Sequence, residues 1–354
     1  MRVLIVKLSS IGDVVHTLPA AAVLRRALPE AWITWVVERR ASAILQDSPV
    51  IDELIELDTR AWRNNLLSPS TIADLRASLN QLRESSGNNG AGQADLAIDF
   101  QGLIKSGVLA FASRATRRLG FGTPDLREKA SKLFLTEQIE TSQIKHVIDK
   151  NLELAFAAIH EQRPQSPTSA GPLEFPIQVS SEDEAYIDAV IGNNHRNFAI
   201  LNPGGGWSTK LWSAERFAEL GDWLQEAYGF TSFVTYGPGE LPLAERVAAR
   251  SRSSLVRPLG TTLKQFIALA RRAALFVGGD TGPLHLAAAC RTPIVGLYGP
   301  TSPERNGPFD PRDITVGREL WCRADCHRRS CWHWECMDIK VSDVKSAIVK
   351  RLAS

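Results

Sequence analysis

The sequence predicts an α/β chain folded as two doubly wound, parallel-sheet domains facing across a cleft. Three observations lead there. Apolar, β-rich runs alternate with helical patterns from the third residue onward, and such alternation buries a parallel sheet between layers of helices. The pattern breaks at the Pro/Ser/Gly-rich stretch 163–172 and then restarts, as an interdomain linker would make it. Several apolar runs end in glycine-rich turns, the place where open α/β sheets bind ligands. A length of 354 residues with 44% hydrophobic side chains suits two domains with a core each and argues against general disorder.

In chain order, residues 3–8 read as a buried strand, 14–28 as a helix, 33–37 and 95–99 as strands, and 103–112 and 147–159 as helices. The polar stretch 85–93 reads as a surface loop inside the first domain. Beyond the linker, Ser181 with Glu184 has the form of a capping box opening a helix over 182–191. Residues 198–201 form a strand that runs into Asn202-Pro203-Gly204-Gly205-Gly206. A helix over 214–226, a strand over 231–236 and a helix over 263–272 capped by Thr262 follow. A strand over 274–277 feeds a glycine turn and a helical run at 286–290, and 293–298 is the next buried strand. Residues 341–352 have helical spacing and a basic end. Domain boundaries therefore fall at 1–170 and 171–340, with a closing helix in 341–354 placed to pack back on the N-terminal domain.

A formal net charge of +2 gives no support to nucleic-acid binding on bulk charge. The apolar run at 3–6 is interrupted by Lys7, short of the roughly 7–15 residues of a signal h-region. No segment approaches the roughly 18 apolar residues of a membrane span, so a cytoplasmic location is expected. Five cysteines are present, and four crowd into 322–336, which is not the distribution of a secreted disulfide framework. Cys322, Cys326, Cys331 and Cys336, with His327 and His333 among them, could bind zinc or iron. The spacing differs from that of zinc ribbons, so a disulfide or reduced thiols are alternatives.

The most informative stretch is Gly278-Gly279-Asp280-Thr281-Gly282-Pro283-Leu284-His285. A strand, a glycine turn and a helix start fall there in order, and a helix N-terminus offers unpaired N–H groups to a phosphate. The bland alternative is an ordinary turn with Asp280 as cap. The turn Gly204-Gly205-Gly206-Trp207-Ser208-Thr209-Lys210 permits close backbone approach and supplies a flexible cation. In Gly237-Pro238-Gly239-Glu240 the carboxylate could accept from a ribose or simply be solvated. No G-x-G-x-x-G follows a strand, which disfavours a dinucleotide enzyme. No Asp-x-Asp pair is present, which disfavours a metal-chelated diphosphate of that type. In the first domain, Ser9-Ser10-Ile11-Gly12-Asp13 places a carboxylate at the mouth of the sheet, either functional or the N-cap of the helix that follows. Asp99-Phe100-Gln101-Gly102-Leu103-Ile104-Lys105 is another strand-to-helix turn, and Arg60 and Arg63 flank Trp62 on a loop. Arg114, Arg117, Arg118, Arg127, Lys129 and Lys132 form a basic region suited to an anionic acceptor or lipid headgroups, unless it is a plain solvated face.

With these residues in view, the chain resembles the ADP-heptose:lipopolysaccharide heptosyltransferases (glycosyltransferase family 9), and among them the type I enzymes. The likeness spans nearly the whole chain and is most specific in MRVLIVKLSSIGDVVHTLPA, DFQGLIKS, GGDTGPLHLAAA and LYGPT. It implies a GT-B architecture of two Rossmann-like domains, with an N-terminal acceptor domain and a C-terminal nucleotide-sugar domain. It implies inverting transfer of L-glycero-D-manno-heptose from ADP-heptose to a Kdo sugar of lipid A, at the cytoplasmic face of the inner membrane and with no cofactor. Asp13 stands at the position of the catalytic base. Gly204, Gly205, Gly206, Lys210, Glu240, Asp280, Thr281, Gly282 and His285 stand at donor positions, and Ser10, Gly12, Arg60, Arg63, Gln101 and Lys105 near acceptor positions. Two departures are evident: glycines 204–206 replace threonines of some relatives, turning side-chain contacts into backbone ones, and the cysteine cluster resembles a pattern of other heptosyltransferase branches. The acceptor thus stays open between Kdo, a heptose and a protein hydroxyl. A sugar-nucleotide epimerase, or a metal or redox module at the cysteines, are the competing readings.

Overall fold

The computed structural model describes residues 1–64, 68–84, 94–160, 173–192, 197–320, 322, 326, 329–332 and 335–354. The expected linker 163–172 and the loop 85–93 lie outside them, as do His327 and His333. The chain divides into two compact units, Met1–Gln178 and Val179–Ser354.

The first unit carries β1 (Arg2–Val6), β2 (Trp32–Glu38), β3 (Glu53–Leu57), β4 (Leu96–Asp99), β5 (Arg117–Phe121) and β6 (Glu137–Ile139) in one parallel sheet ordered β3-β2-β1-β4-β5-β6. The second carries β7 (Phe198–Asn202), β8 (Thr231–Tyr236), β9 (Val256–Gly260), β10 (Leu275–Gly279), β11 (Ile294–Tyr298) and β12 (Ile314–Gly317), ordered β12-β11-β10-β7-β8-β9 and also parallel. Both sheets reverse their strand order between the first strand of the unit and the fourth. That reversal opens a crevice beyond the carboxyl ends of β1 and β4, and of β7 and β10.

The central strands are apolar because helices cover both faces. Val3, Leu4, Ile5 and Val6 are buried, as are Leu275, Phe276 and Val277. Strands β3, β5, β6, β9 and β12 do not stand out in the sequence. Their sequences, such as Glu-Leu-Ile-Glu-Leu in β3 and Val-Arg-Pro-Leu-Gly in β9, mix charge and proline into half-buried positions near sheet edges.

The helix expected over 14–28 is two helices, Ile11–Val15 and Leu18–Ala27. Pro19 lacks the amide that a continuous helix needs and clashes with the preceding turn. Buried Asn151 satisfies the break, its Nδ2 donating to His16 O at 3.0 Å and Thr17 Oγ1 at 3.1 Å. The helix Ser181–Ile191 is capped by Ser180, one residue before the expected cap, and Ser180 accepts from Asp183 N. Leu263–Arg272 has the expected cap, with Thr262 accepting from Gln265 N.

The closing helix Val341–Leu352 contributes Val341, Val344, Ala347 and Ile348 to the core of the second unit, beside Trp212 and Phe217. Buried Arg351 ties it down by an ion pair to Asp313 at 2.7 Å.

Candidate active-site residues

In the first unit, the turn after β1 is held from several directions. Lys7 is buried and donates through Nζ to Phe100 O at 2.7 Å, while Trp35 Nε1 donates to Lys7 O at 3.1 Å. Gln101 Oε1 accepts from Leu8 N at 3.0 Å and Ser9 N at 3.2 Å. The residue expected to meet an acceptor therefore uses its carbonyl to shape the Ser9–Ser10 turn, and only its Nε2 makes no hydrogen bond among the described residues.

Asp13 is not the N-cap. It sits one turn inside the helix Ile11–Val15, whose N-cap is Ser10. Ser10 N and Ser10 Oγ both donate to Asp13 Oδ2, at 2.6 Å and 2.9 Å. Oδ1 has no hydrogen-bond partner among the described residues. Burial pushes the Asp13 carboxyl up, but Lys7, the two Ser10 donors and Arg127 outweigh it and hold the group below the usual carboxylate range. One oxygen is thus anchored and the other is open, on a carboxylate that stays ionised at neutral pH.

Asp99, at the end of β4, accepts from Gln101 N at 2.8 Å, Gly102 N at 3.1 Å and Ser106 Oγ at 2.9 Å. Burial dominates there and pushes its carboxyl up to about 6. Lys105 Nζ lies 3.4 Å from Glu38 Oε1 and 3.3 Å from Thr59 Oγ1, and Thr59 also donates to Glu38. Glu38 is a buried carboxylate at the end of β2 that sequence reasoning does not single out. Arg60 and Arg63 belong to the helix Thr59–Asn64 rather than to a loop; their side chains lie outside what is described. The expected basic region is partly engaged in structure. Arg117 forms a two-pronged pair with Glu137 at 2.8 and 2.9 Å, and Arg118 donates to Phe134 O and Ala115 O.

In the second unit, the expected donor residues converge. β10 continues through Gly278 and Gly279, and a Cβ at Gly279 would stand 3.0 Å from Lys210 O. Glycine there lets the Lys210 turn lie against the strand end. Lys210 Nζ then meets Asp280 Oδ2 at 2.6 Å and Asp280 O at 2.9 Å, with the Trp207 ring 4.6 Å away. Asp280 Oδ1 receives His285 Nε2 at 3.1 Å and Asn306 Nδ2 at 2.7 Å. Burial pushes the Asp280 carboxyl up, but His285 and Lys210 override it and hold the group far below the ordinary carboxylate range. A nitrogen facing such an ionised carboxylate carries the proton.

Asn306, just past β11, is the member that sequence reasoning misses. Its only mark is its place beyond a strand end. Its Oδ1 is buried with no hydrogen-bond partner among the described residues, and its carbonyl accepts from the buried Tyr298 OH at 3.2 Å. Helix Gly282–Ala289 starts beside this cluster with no side chain capping it, since Thr281 Oγ1 turns back to Gly279 O. Its first amides are open to an anion.

Glu240 is clamped rather than solvated. Oε1 accepts from Gly205 N at 3.0 Å and Oε2 from Gly237 N at 2.9 Å. A Cβ at Gly204 would stand 2.6 Å from Glu240 Cδ. The missing side chain is what admits the carboxylate, which joins two strand-end turns.

The cysteine segment lies against the Lys210 turn. Ser208 Oγ donates to Arg329 O at 3.2 Å, and Arg329 lies 5.4 Å above Trp207. No disulfide joins Cys322, Cys326, Cys331 and Cys336 among the described residues, and burial together with the neighbouring thiols pushes Cys336 up. No group of three or more His, Cys, Asp or Glu side chains among the described residues is arranged to hold a metal. The zinc or iron allowed for by the sequence therefore finds no support in them.

The chain as a whole is similar to known glycosyltransferases. The sequence model of glycosyltransferase family 9 (heptosyltransferase) matches residues 89–333. The chain is 30% identical over 332 residues to lipopolysaccharide heptosyltransferase 1 of Pseudomonas aeruginosa, spanning 94% of this chain and 87% of that one. It is 28% identical over 328 residues to lipopolysaccharide heptosyltransferase 1 of Escherichia coli, spanning 92% and 94%. Among solved structures, E. coli heptosyltransferase WaaC with ADP superposes with a TM-score of 0.79 at 26% identity, covering 99% of this chain and all of that one.

Proposed function

The chain belongs to glycosyltransferase family 9, the heptosyltransferases, and on that premise we propose that it moves L-glycero-D-manno-heptose from ADP-heptose to a Kdo residue of lipid A, with inversion. The donor and acceptor rest on the likeness to lipopolysaccharide heptosyltransferases 1 over nearly the whole chain. The observation that carries the chemistry is the grip at the ends of β7 and β10. There a fixed ammonium, Lys210, stands beside an uncapped helix N-terminus.

Asp13 is the base in this reading. The acceptor hydroxyl attacks the anomeric carbon, its proton passes to Asp13 Oδ1, and the bond from sugar to phosphate breaks with its electrons leaving on ADP. A carboxyl held low is a weak base toward a resting alcohol, so the proton moves late, once the forming bond has acidified the hydroxyl. A positioned base is worth roughly 10²–10⁴-fold. Lys210 uses two of its three N–H groups on Asp280, which leaves one for a phosphate oxygen. The amides at the start of Gly282–Ala289 add to it as charge develops on the leaving group. Asn306 Oδ1, buried with no hydrogen-bond partner among the described residues, suits a hydroxyl of the donor. No step calls for a metal. The base and the donor grip belong to different units, so the reaction requires both to reach one anomeric carbon.

Lipid A holds its Kdo at a membrane, so the enzyme works as a peripheral protein on the cytoplasmic face of the inner membrane. No helix among the described residues is long and apolar enough to cross one.

The test is ADP release from ADP-heptose with and without Kdo-lipid A. Transfer demands acceptor-dependent release; consumption of the nucleotide sugar without acceptor supports an epimerase instead. Asp13→Ala should keep ADP-heptose affinity and lose about 10²–10⁴-fold in turnover; near-normal turnover would sink the base assignment.

A further inference from the structure

One face of the first unit combines exposed apolar side chains with unpaired positive charge. On the helix Ile104–Ala112, Ile104, Val108 and Phe111 are 42%, 41% and 56% exposed. Their spacing of four and then three residues makes one stripe, while Leu109 and Ala110 face the core. The turn Lys129–Phe134 lies against this helix. A Cβ at Gly107 would stand 2.9 Å from Phe134 Cδ2, and the Phe111 and Phe134 rings meet edge to face at 6.1 Å. The turn adds Leu133, 76% exposed and among the most exposed large apolar side chains described.

Lys129 and Lys132 are exposed on the same turn and make no ion pair among the described residues. Arg127, two residues before Lys129, is exposed as well, and Arg118 lies 5.5 Å above the Phe111 ring. Glu128, the acid within this run, is engaged with Ile104 N at 2.7 Å. Large apolar side chains left in water within a field of one sign are the signature of an interfacial surface, where the apolar groups enter the acyl boundary and the cations meet headgroup phosphates.

We propose that this face, formed by Ile104, Val108, Phe111 and Leu133 with Lys129 and Lys132, docks the protein on an anionic phospholipid surface. The inference rests on the lipid-borne acceptor of the proposed function and names the surface that meets its membrane. Charge complementarity selects the occupant: a zwitterionic bilayer or a neutral protein face would leave the lysines without counter-charge. Arg127, two residues before Lys129, adds to the positive charge of this segment and helps hold the Asp13 carboxyl low.

The test is co-flotation of the full chain with vesicles of phosphatidylethanolamine and phosphatidylglycerol, against vesicles of phosphatidylcholine alone. Binding is expected to the first, to be weak to the second, and to fall as salt is raised past the range where exposed charges are screened. The double variant Lys129→Glu/Lys132→Glu should weaken binding to the anionic vesicles by about 10–100-fold, the loss of about 1 kcal/mol of attraction for each lysine. Phe111→Ser/Leu133→Ser should weaken binding at every salt concentration. Both variants should keep wild-type turnover on a deacylated, water-soluble acceptor, which shows that they fold. Flotation needs no transfer, so it reads the surface even if the proposed acceptor is wrong. Equal binding to both vesicle types overturns the proposal, as does unchanged flotation of either variant. A lipid-independent dimer that both variants dissolve would assign the face to a second copy of the chain.

Discussion

Replacing Asp280 by asparagine removes one charge and almost no volume. In the folded protein the carboxylate is 3% exposed in its side chain, its Lys210 partner 14%, and the two stand 2.6 Å apart. His285 and Asn306 approach the other oxygen. Breaking a buried pair by neutralising one partner typically costs about 3–5 kcal/mol, because the other charge stays buried and unpaired. Lys210 keeps the Asp280 carbonyl and the Trp207 ring, which favours the lower end. For a unit of this size, about 2–4 °C per kcal/mol gives a drop of about 6–20 °C in the melting of Val179–Ser354. Calorimetry at neutral pH would read it. The pH dependence has a defined sign. A carboxyl held low when folded contributes stability that is present above its unfolded value near 3.9 and is lost as pH falls toward the folded value. The gap between wild type and Asp280→Asn should therefore be full at pH 7 and shrink below about pH 4. A variant melting within about 1 °C of wild type at pH 7, or a gap indifferent to acid, would refute the buried ion pair.

Gly204→Ala should push the Glu240 carboxylate out of its clamp, because the new methyl would stand 2.7 Å from Oε1. Losing the Gly205 and Gly237 amides as donors should cost about 1–3 kcal/mol after water repairs part of it, and should weaken ADP binding by calorimetry. In a Glu240→Ala background the same change should be nearly neutral; if it is equally harmful there, the clamp is not the cause. Asp99, pushed up to about 6 by burial, has the opposite sign from Asp280. Its protonated form is favoured on folding, so its stabilisation is full below about pH 4 and fades as pH rises through about 6. Relative to Asp99→Asn, the wild type should lose about 3 kcal/mol across that window in denaturant unfolding; a flat difference would contradict the shift.

Some features of this protein were legible without coordinates because their causes are local. Central strands of a parallel sheet are apolar throughout, so β1, β7 and β11 stand out as runs. Helix starts carry their caps within one turn, as at Thr262 with Gln265. The turns that hold Asp13, Lys210 and Asp280 are visible because strand, glycine and helix follow one another directly. The break at Pro19 is equally local, but apolar residues continue on both sides of it and mask it in the sequence.

What side chains do at those turns was decided elsewhere. Gln101 and Lys105 sit in the turn that the motif marks, yet the amide of one shapes the Ser9 turn and the charge of the other meets Glu38. Glu240 looks like a solvated loop acid until a turn 35 residues away closes on it. Asn306 has no motif and reaches Asp280 across 26 residues. In a parallel sheet, every strand end is separated from its neighbour by a crossover, so residues that share a site are distant in sequence and carry no common period. The amino-acid order by itself determined two doubly wound sheets and the turns at their carboxyl ends. Only tertiary packing chose which carboxylate is anchored, which cation is neutralised and which oxygen is left open, because those choices depend on partners that the crossovers deliver.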